Sequence, residues 1–347
     1  MDEHSLTATS DAFDRPLHDL RISVTDRCNF RCPYCMPAEL YGENYQFHSR
    51  EELLTFEEIE RLARIFIDLG VEKLRITGGE PLLRHQLPEL IERLSSIPGL
   101  HDLALTTNGF LLSKQASALR EAGLKRITVS LDSRDEDIFK QMSGSKFSPE
   151  RVLEGIEAAD RAGLHPIKIN CMVARGINTH TLVDLARHFH GTGHILRFIE
   201  FMDVGTLNGW QLSEVVTATE IAEIIHAELP IEPIDPNYRG ETAHRYRYVD
   251  GGGEIGIIPS VSAPFCGDCT RARLTIEGKL VTCLFAEGGA DLRTPLRSGA
   301  SDTDLREQIK TVWSERTDRY SEERADLMAS DEPESHKAKI EMYQIGG

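Results

Sequence analysis

The chain has 347 residues, with 39 Lys and Arg against 56 Asp and Glu, so its formal net charge is −17. This length suits one large domain or two ordinary ones, and an acidic surface argues against non-specific binding of nucleic acid or membranes. The polar N-terminus does not have the pattern of a secretory signal, and no apolar run reaches the roughly 18 residues of a membrane helix. We therefore expect a cytoplasmic protein.

Apolar runs alternate with helical patterns along the first two thirds of the chain. Helix boundaries are indicated by a capping box at Thr55 and Glu58 and by Gly70, Gly123 and Gly163 at helix ends. The predicted strands are Leu20–Thr25, Lys73–Thr77, Asp102–Thr106, Arg126–Ser130, Pro166–Val173 and Ile195–Glu200. Six strand–helix units predict parallel strands, whereas a complete barrel of this type has eight. The sequence thus predicts an α/β fold with a partial (β/α)6 barrel of the TIM type at residues 16–215. A flat doubly wound sheet is the alternative.

The pattern changes after residue 215, and we predict a C-terminal α+β region at residues 216–347 that closes the barrel. Its expected elements are a helix at Thr219–Leu229, strands at Arg245–Asp250 and Glu254–Ile258, a hairpin of Arg271–Ile276 with Lys279–Leu284, and a helix that starts at Ser301. Residues 1–15 are predicted to be an N-terminal tail. Residues 318–336 are strongly charged, which favours a flexible segment.

Seven cysteines in a chain without a secretory signal favour metal binding or catalysis over disulfides. Cys28, Cys32 and Cys35 form a CxxxCxxC motif after the first predicted strand. Three thiolates around a 4Fe–4S cluster would leave one iron open to an outside ligand. A structural zinc site with a fourth ligand such as His48 is the alternative. Cys171 lies outside both cysteine motifs and is predicted to be a buried strand residue.

A second set of three cysteines, Cys266, Cys269 and Cys283, lies in the C-terminal region. Arg271 and Arg273 lie between them, and on a strand these two side chains share one face. Guanidinium groups suit phosphate oxygens and base edges, so the pair is a candidate ligand-binding site beside a second cluster. Structural zinc, with a solvated pair of arginines, is the alternative.

TGGEP, residues 77–81, follows the second predicted strand. Its glycines allow the backbone to approach a ligand, and Glu80 suits a cationic amino group, although a simple turn has the same pattern. CNFRCPYC and TGGEP together resemble the radical S-adenosylmethionine (SAM) superfamily. That resemblance implies that SAM binds the open iron and yields a 5′-deoxyadenosyl radical. The SAM contacts that it implies are Tyr34, Gly79, Glu80, Ser130 and Met202.

The stretch PFCGDCTRARLTIEGKLVTCLF, residues 264–285, resembles the GTP 3′,8-cyclase family, which begins molybdenum cofactor biosynthesis. Further motifs such as VSLDS and RFIEFMDVG extend the resemblance from about residue 15 to the C-terminus. It implies two 4Fe–4S clusters, with the guanine of GTP on the second. The GTP contacts that it implies are Arg21, Arg75, Thr106, Lys168, Arg271 and Arg273. It also implies catalytic roles for Arg271, Arg273 and the terminal Gly346 and Gly347, a tail that reaches the active site.

The resemblance further implies two partners, an electron donor and a downstream cyclic pyranopterin monophosphate synthase, for a chain that is a monomer or a homodimer. One rival hypothesis is a peptide-modifying radical SAM enzyme with an auxiliary cluster, although such enzymes typically have more C-terminal cysteines. The other is a zinc-stapled α/β binding module, which the lack of a fourth ligand at either cysteine set disfavours.

Overall fold

The computed structural model describes residues 9–329 and 339–346, with backbone alone at 325–329. The strands are β1 (Asp19–Ser23), β2 (Lys73–Thr77), β3 (Asp102–Thr107), β4 (Arg126–Ser130), β5 (Ile167–Val173), β6 (Ile195–Glu200), β7 (Ile231–Ile234), β8 (His244–Tyr248), β9 (Glu254–Ile258), β10 (Arg271–Leu274), β11 (Lys279–Val281) and β12 (Ala290–Asp291). The helices are α1 (Phe56–Asp68), α2 (Leu87–Ser95), α3 (Leu112–Glu121), α4 (Glu136–Ser143), α5 (Glu150–Arg161), α6 (Leu182–Phe189), α7 (Ala218–Glu228), α8 (Arg293–Arg297), α9 (Asp302–Ser314), α10 (Tyr320–Ala329) and α11 (Met342–Ile345). None of these helices has the length and apolar composition that crossing a bilayer requires.

All the strands belong to one sheet, in the order β12-β11-β10-β1-β2-β3-β4-β5-β6-β9-β8-β7. Strands β1 to β6 are parallel neighbours in chain order, as the sequence predicts for a partial barrel. Strand β10 adds parallel to β1 and strand β9 adds parallel to β6, so the C-terminal region lengthens the parallel sheet at both edges. Because one sheet contains strands from both sides of residue 215, the domain division there stays a prediction.

The sheet is curved, and segments beside strands that are not neighbours in the sheet meet through side chains. Arg239, between β7 and β8, donates to the carboxylate of Asp268, which precedes β10, at 2.7 Å. Tyr238 lies over Lys73 of β2, with the ammonium nitrogen 5.5 Å from the centre of the ring. These contacts bring distant strands together across a concave face. The structure therefore confirms the open barrel and not the flat sheet.

Side chains alternate along the parallel strands between the core and this concave face, as the period of two requires. The core-facing members include residues without measurable exposure: Ile22, Ile76, Leu105, Ile127, Ile169 and Phe198. The residues next to them in sequence, such as Arg21, Arg75 and Lys168, take the opposite face. The strand pattern therefore places cations inside the barrel.

Capping residues set the ends of the helices. Thr55 accepts from the backbone amide of Glu58 at 3.2 Å, and the Glu58 carboxylate accepts from the amide of Thr55 at 2.8 Å. This is the predicted capping box, and Gly70 ends α1 with a φ of 110°. Helix α4, which starts after the capping residue Asp135, was not predicted from the sequence. Its 8 residues lie below the length at which a helix is stable by itself, so packing rather than local pattern decides it.

The structure differs from the prediction at the N-terminus, where described residues before position 16 are packed rather than tail-like. Arg15 is 1% exposed and pairs with Asp11 at 2.6 Å. It also donates to the carbonyl oxygens of Cys266 at 2.8 Å and Asp318 at 2.9 Å. Composition does not reveal this arrangement because the partners lie in the C-terminal region. Residues 1–8 lie outside the described part of the chain. Within the charged segment predicted at residues 318–336, residues 320–329 form α10. Residues 330–338 lie outside the described part of the chain as well.

Candidate active site

The first three cysteines line one cavity at the carboxyl ends of the parallel strands, which we call the first cavity. The loop after β1 turns at Cys32, whose carbonyl oxygen accepts from the amides of Cys35 at 3.0 Å and Met36 at 2.8 Å. The other lining residues include Tyr34, Gly79, Glu80, Thr106, Asn108, Ser130, Asp132, Asn170, Met172, Met202 and Met342. All the predicted SAM contacts therefore lie around the same cavity as the thiols.

The two glycines of TGGEP allow two loops to touch. A Cβ atom on Gly79 would lie 2.4 Å from the carbonyl oxygen of Arg27, and one on Gly78 would lie 2.5 Å from that of Thr25. The sequence reasoning assigned these glycines to close approach of a ligand. The structure shows that they admit the backbone that leads into Cys28, and the predicted contact of Gly79 with SAM stays a prediction. They thus fix the cysteine loop against the end of β2.

Glu80 ties together the ends of β2 and β3. It is 1% exposed, and its carboxylate accepts from the Thr107 hydroxyl at 2.7 Å, the Asn108 amide at 2.7 Å and the Leu82 amide at 3.0 Å. Burial raises the pKa of Glu80 to about 7, against the effect of these hydrogen bonds. Because protein donors already use this carboxylate, it positions the loops. Its predicted contact with an amino group stays a prediction.

Asp132 is a site residue that the sequence reasoning noted only as a strand-end residue. The Tyr34 hydroxyl donates to its carboxylate at 2.7 Å, and the Met172 amide donates at 2.8 Å. Burial raises the pKa of Asp132 to about 6. The signal that could have found it is its spacing of two residues from Ser130 at the end of β4. Asp132 thus ties Tyr34, a residue of the cysteine loop, to the end of β4.

The other three cysteines line a second cavity inside the barrel, together with a group of cations. The cations are Arg21, Lys73, Arg75, Arg126, Lys168, Arg197, Arg271, Arg273 and Arg316. Asn170, Ile199 and Met202 line both cavities, which therefore adjoin. Of the predicted GTP contacts, only Thr106 is not among the lining residues. It lies on the first cavity and accepts from Arg75 at 3.2 Å.

The two sets of thiols are buried in different electrostatic surroundings. Burial, with the negative charge of Glu80, raises the pKa of Cys28 to about 11, and burial raises that of Cys283 to about 12. Burial also opposes ionisation of Cys269, but Arg271 and Arg316 outweigh it and lower the pKa of Cys269 to about 6. Iron binds the thiolate form. In the second cavity, therefore, Arg271 and Arg316 stabilise the thiolate form of Cys269.

Donor chemistry at both sites fits an iron–sulfur cluster, because three free cysteines line each cavity. Each thiolate of such a cluster binds a different iron, so the sulfurs do not have to converge on one point. Within the described ranges, no three His, Cys, Asp or Glu side chains converge to hold a single ion. His48, considered as a zinc ligand, instead contacts Asp26 at 3.0 Å and Glu277 at 3.5 Å. Cys171 is fully buried, as expected.

Lys168 has no anionic partner at hydrogen-bond distance in the described part of the chain. Burial and the charge of Arg197 lower its pKa to about 7. Arg197, which sequence reasoning missed, donates to Asn170 at 2.6 Å, and Arg126, also missed, pairs with Asp102. Both arginines occupy positions of predicted strands whose side chains face the concave side. This alternation along the strand was the signal that could have identified them. So many buried cations need an anion to balance them.

The last described residues of the C-terminal tail contact two arginines that line the second cavity. The Gly346 carbonyl oxygen accepts from Arg273 at 2.8 Å and from Arg21 at 3.1 Å, and that of Ile345 accepts from Arg273 at 3.1 Å. Gly346 has a φ of 66°, and a Cβ atom there would lie 2.0 Å from Thr77. A larger residue does not fit without movement. Gly347 lies outside the described residues.

Known proteins match this chain over nearly its full length. The radical SAM superfamily model matches residues 22–189, and a model described as Molybdenum Cofactor Synthesis C matches residues 194–322. A GTP 3′,8-cyclase of Xanthomonas axonopodis pv. citri is 52% identical over 97% of this chain and 98% of that protein. Those of Acidothermus cellulolyticus and Staphylococcus aureus strain MRSA252 are 51% and 46% identical, each over 97% of this chain and 98% of the relative.

Among solved structures, Streptococcus suis SuiB bound to its precursor peptide SuiA has a TM-score of 0.50 at 17% identity. The match covers 62% of this chain and 46% of that one, and it supports the fold alone. Radical SAM membership implies a 4Fe–4S cluster and SAM. The relatives, by contrast, match over nearly their full length at about half identity. The chain therefore belongs to the GTP 3′,8-cyclase family of the radical SAM superfamily.

Proposed function

We propose that the chain converts GTP to (8S)-3′,8-cyclo-7,8-dihydroguanosine 5′-triphosphate, the first step of molybdenum cofactor biosynthesis. The single observation that carries this proposal is the junction of two cavities. One holds three thiols beside TGGEP, and the other holds three thiols beside an excess of cations, with Asn170, Ile199 and Met202 common to both. A radical made in one cavity can therefore act on an anion held in the next.

In the first cavity, Cys28, Cys32 and Cys35 would hold a 4Fe–4S cluster. A bound cluster and SAM would supply the 5′-deoxyadenosyl radical needed for hydrogen abstraction from the ribose 3′ carbon of GTP. The protein's part is to orient the reactants and exclude water. Tyr34 is fixed by its hydrogen bond to Asp132, and Met202 separates this cavity from the next. Gly79 and Glu80 keep the cysteine loop against the strand ends.

In the second cavity, Cys266, Cys269 and Cys283 would hold a second 4Fe–4S cluster, which would supply an iron with a free coordination site for guanine. The triphosphate then lies among the cations. Arg21, Arg75 and Lys168 project from three of the parallel strands into this cavity, where guanidinium groups suit bidentate contact with phosphate oxygens. A chain with a net charge of −17 attracts GTP only through such a local positive field.

Arg271 and Arg273 share the concave face of β10 beside the second cysteine set. Arg273 holds the tail carbonyls, so it brings Gly346 to the place where substrate binds. Met342 of the same tail lines the first cavity. The tail therefore covers the junction of the two cavities and helps to exclude water from a radical intermediate.

Turnover requires an electron donor for the first cluster. The cyclised nucleotide would then pass to a synthase that forms cyclic pyranopterin monophosphate. We expect the chain to act as a monomer or a homodimer.

The test is anaerobic reconstitution with iron and sulfide, followed by incubation with GTP, SAM and dithionite. We expect 5′-deoxyadenosine and a cyclised nucleotide in equal amounts. Cys283→Ala should abolish cyclisation, whereas the matched change Cys171→Ala, at a buried cysteine outside both sets, should retain it. Deoxyadenosine without a nucleotide product would reject GTP as the substrate, and unchanged turnover of Cys283→Ala would reject the second cluster.

The two rival hypotheses have direct readouts. Protein purified without oxygen should be brown, whereas a zinc-stapled module would be colourless. A peptide-modifying enzyme would not bind GTP in an equilibrium assay. The unbalanced cations of the second cavity favour the nucleotide.

A further inference from the structure

The end of the chain is fastened along its length to two loops that line the active site. The backbone amide of Lys339 donates to the Thr206 hydroxyl at 3.1 Å, and the amide of Thr206 donates to the Glu341 carboxylate at 2.9 Å. Thr206 lies in the loop after β6 that carries Met202. These contacts guide the tail toward the second cavity, but they do not fix the orientation of its last residues.

Those last residues are anchored through Tyr343, which is 3% exposed. Its hydroxyl lies 2.8 Å from that of Tyr45, and its ring meets that of Tyr41 edge to face at 5.1 Å. Tyr41, Met36 and Tyr343 form a small core of their own, apart from the main core of the barrel. We call Tyr41, Tyr45 and Met36 the tail socket. An aromatic pair in this geometry adds to the stability that burial provides.

The tail socket belongs to the segment that carries the first cysteine set. Met36 directly follows Cys35, and its backbone amide donates to the carbonyl oxygen of Cys32. The amide of Tyr41 donates to the carbonyl oxygen of Pro37 at 3.0 Å. No helix or strand lies between β1 and α1. The conformation of such a segment depends on what crosslinks it, and metal binding supplies free energy for the ordering of its ligand loop. The socket is therefore complete only when the cysteine loop is ordered.

We propose that assembly of the first cluster positions the C-terminal tail, because the loop that would hold the cluster also forms the tail socket. Tyr45 and Tyr343 are thus positioning residues. They act on Arg21 and Arg273 through the Gly346 carbonyl oxygen, which both arginines hold. In the absence of the cluster, the tail detaches from Arg21 and Arg273. The two adjoining cavities are then open. The inference rests on the proposed function only in taking Cys28, Cys32 and Cys35 as cluster ligands.

Carboxypeptidase digestion under anaerobic conditions, followed by intact mass, measures how often the tail is released. The full chain is compared in three forms, each assayed for iron and sulfide: the reconstituted wild type, Cys35→Ala and the matched variant Cys283→Ala. We expect loss of the terminal residues to be at least about tenfold faster in Cys35→Ala, which removes a ligand from the tail-socket segment. Cys283→Ala, which removes a ligand of the other set, should digest like the wild type.

Two conservative variants test the anchor itself in cluster-loaded protein. Tyr343→Phe and Tyr45→Phe each remove one hydrogen bond, so release should rise roughly fivefold, the value of about one buried hydrogen bond. The matched control is Tyr248→Phe, at a buried tyrosine of β8 that contacts the His190 ring, and it should leave release unchanged. Circular dichroism checks that each variant is folded.

Equal release from Cys35→Ala and Cys283→Ala, whether fast or slow, would overturn the proposal, and so would unchanged release from both Tyr→Phe variants. These outcomes differ from failure of the proposed function. That failure would appear as wild-type protein without iron–sulfur absorbance or without a cyclised nucleotide, independently of the rate at which the tail is cleaved.

Discussion

Arg21 of β1 and Arg273 of β10 lie side by side in register on parallel strands, and both donate to the carbonyl oxygen of Gly346. Burial and the charge of Arg271 lower the pKa of Arg273 to about 10. Burial and the charges of Arg273 and Arg75 also lower that of Arg21. Neighbouring like charges in a buried site are costly unless an anion joins them. The pair is therefore prepared for phosphate or base oxygens.

Replacing Arg273 with Ala should weaken GTP binding by roughly 10- to 100-fold, the value of about one or two hydrogen bonds to a charged group. The measurement is equilibrium binding of GTP to anaerobic, cluster-loaded protein at fixed ionic strength. The matched control is Arg247→Ala, at an exposed arginine of β8 that pairs with Glu232. If Arg273→Ala binds GTP as the wild type does, Arg273 is not a substrate ligand.

GTP binding should take up a proton at Lys168. Burial and the charge of Arg197 lower the pKa of this ammonium group to about 7. At pH 8 it is thus mostly neutral, and a bound triphosphate raises the pKa and draws in up to about one proton. Binding should therefore weaken as pH rises through 7 to 8. Calorimetry in buffers of different ionisation enthalpy measures the uptake. Lys168→Arg, which stays charged, should lose it, and equal uptake in both proteins would contradict the assignment.

Gly79→Ala should lose the first cluster and keep the second. Its added methyl group would meet the Arg27 carbonyl oxygen at 2.4 Å and push the cysteine loop away from the end of β2, at a cost of about 1–3 kcal/mol. Iron and sulfide content after reconstitution should fall to about half, since only the second of two 4Fe–4S sites remains. The control is Gly288→Ala, where a methyl group would meet no atom within 4 Å. Full iron content in Gly79→Ala would disprove the packing role.

Asp11→Asn should destabilise the protein far more than Asp14→Asn. The Asp11 carboxylate is buried between Arg15 at 2.6 Å and Arg316 at 3.2 Å, whereas Asp14 is exposed. Removing one partner of a buried ion pair costs about 3–5 kcal/mol. We expect a lower midpoint of thermal unfolding at a fixed scan rate, together with reduced occupancy of the second cluster, because both arginines hold backbone carbonyls of that cysteine set. Similar midpoints for the two variants would show that the buried pair is unimportant.

Local features of the fold could be predicted from the sequence. Seven of the predicted strand starts coincide with observed ones, at Lys73, Asp102, Arg126, Ile195, Glu254, Arg271 and Lys279. The capping box at Thr55 is also present. These features depend on residues a few positions apart, so the pattern contains the information. The spacing of Cys28, Cys32 and Cys35 is of the same kind, because all three lie in the one loop that follows β1. Helix α4 was missed because its stability comes from contacts that are not local.

The sequence by itself determined the family, the two sets of thiols and most of the cations, since motif spacing and strand period are properties of neighbouring residues. Only the tertiary structure decided that β10 pairs with β1 and β9 with β6, that Arg126 and Arg197 join the cation group, and that Arg15 supports the second cysteine set. It also brought Tyr343 to Tyr45. Each of these contacts joins segments far apart in the chain, and the free energy that selects them comes from burial and charge balance in the folded molecule, which no local pattern records.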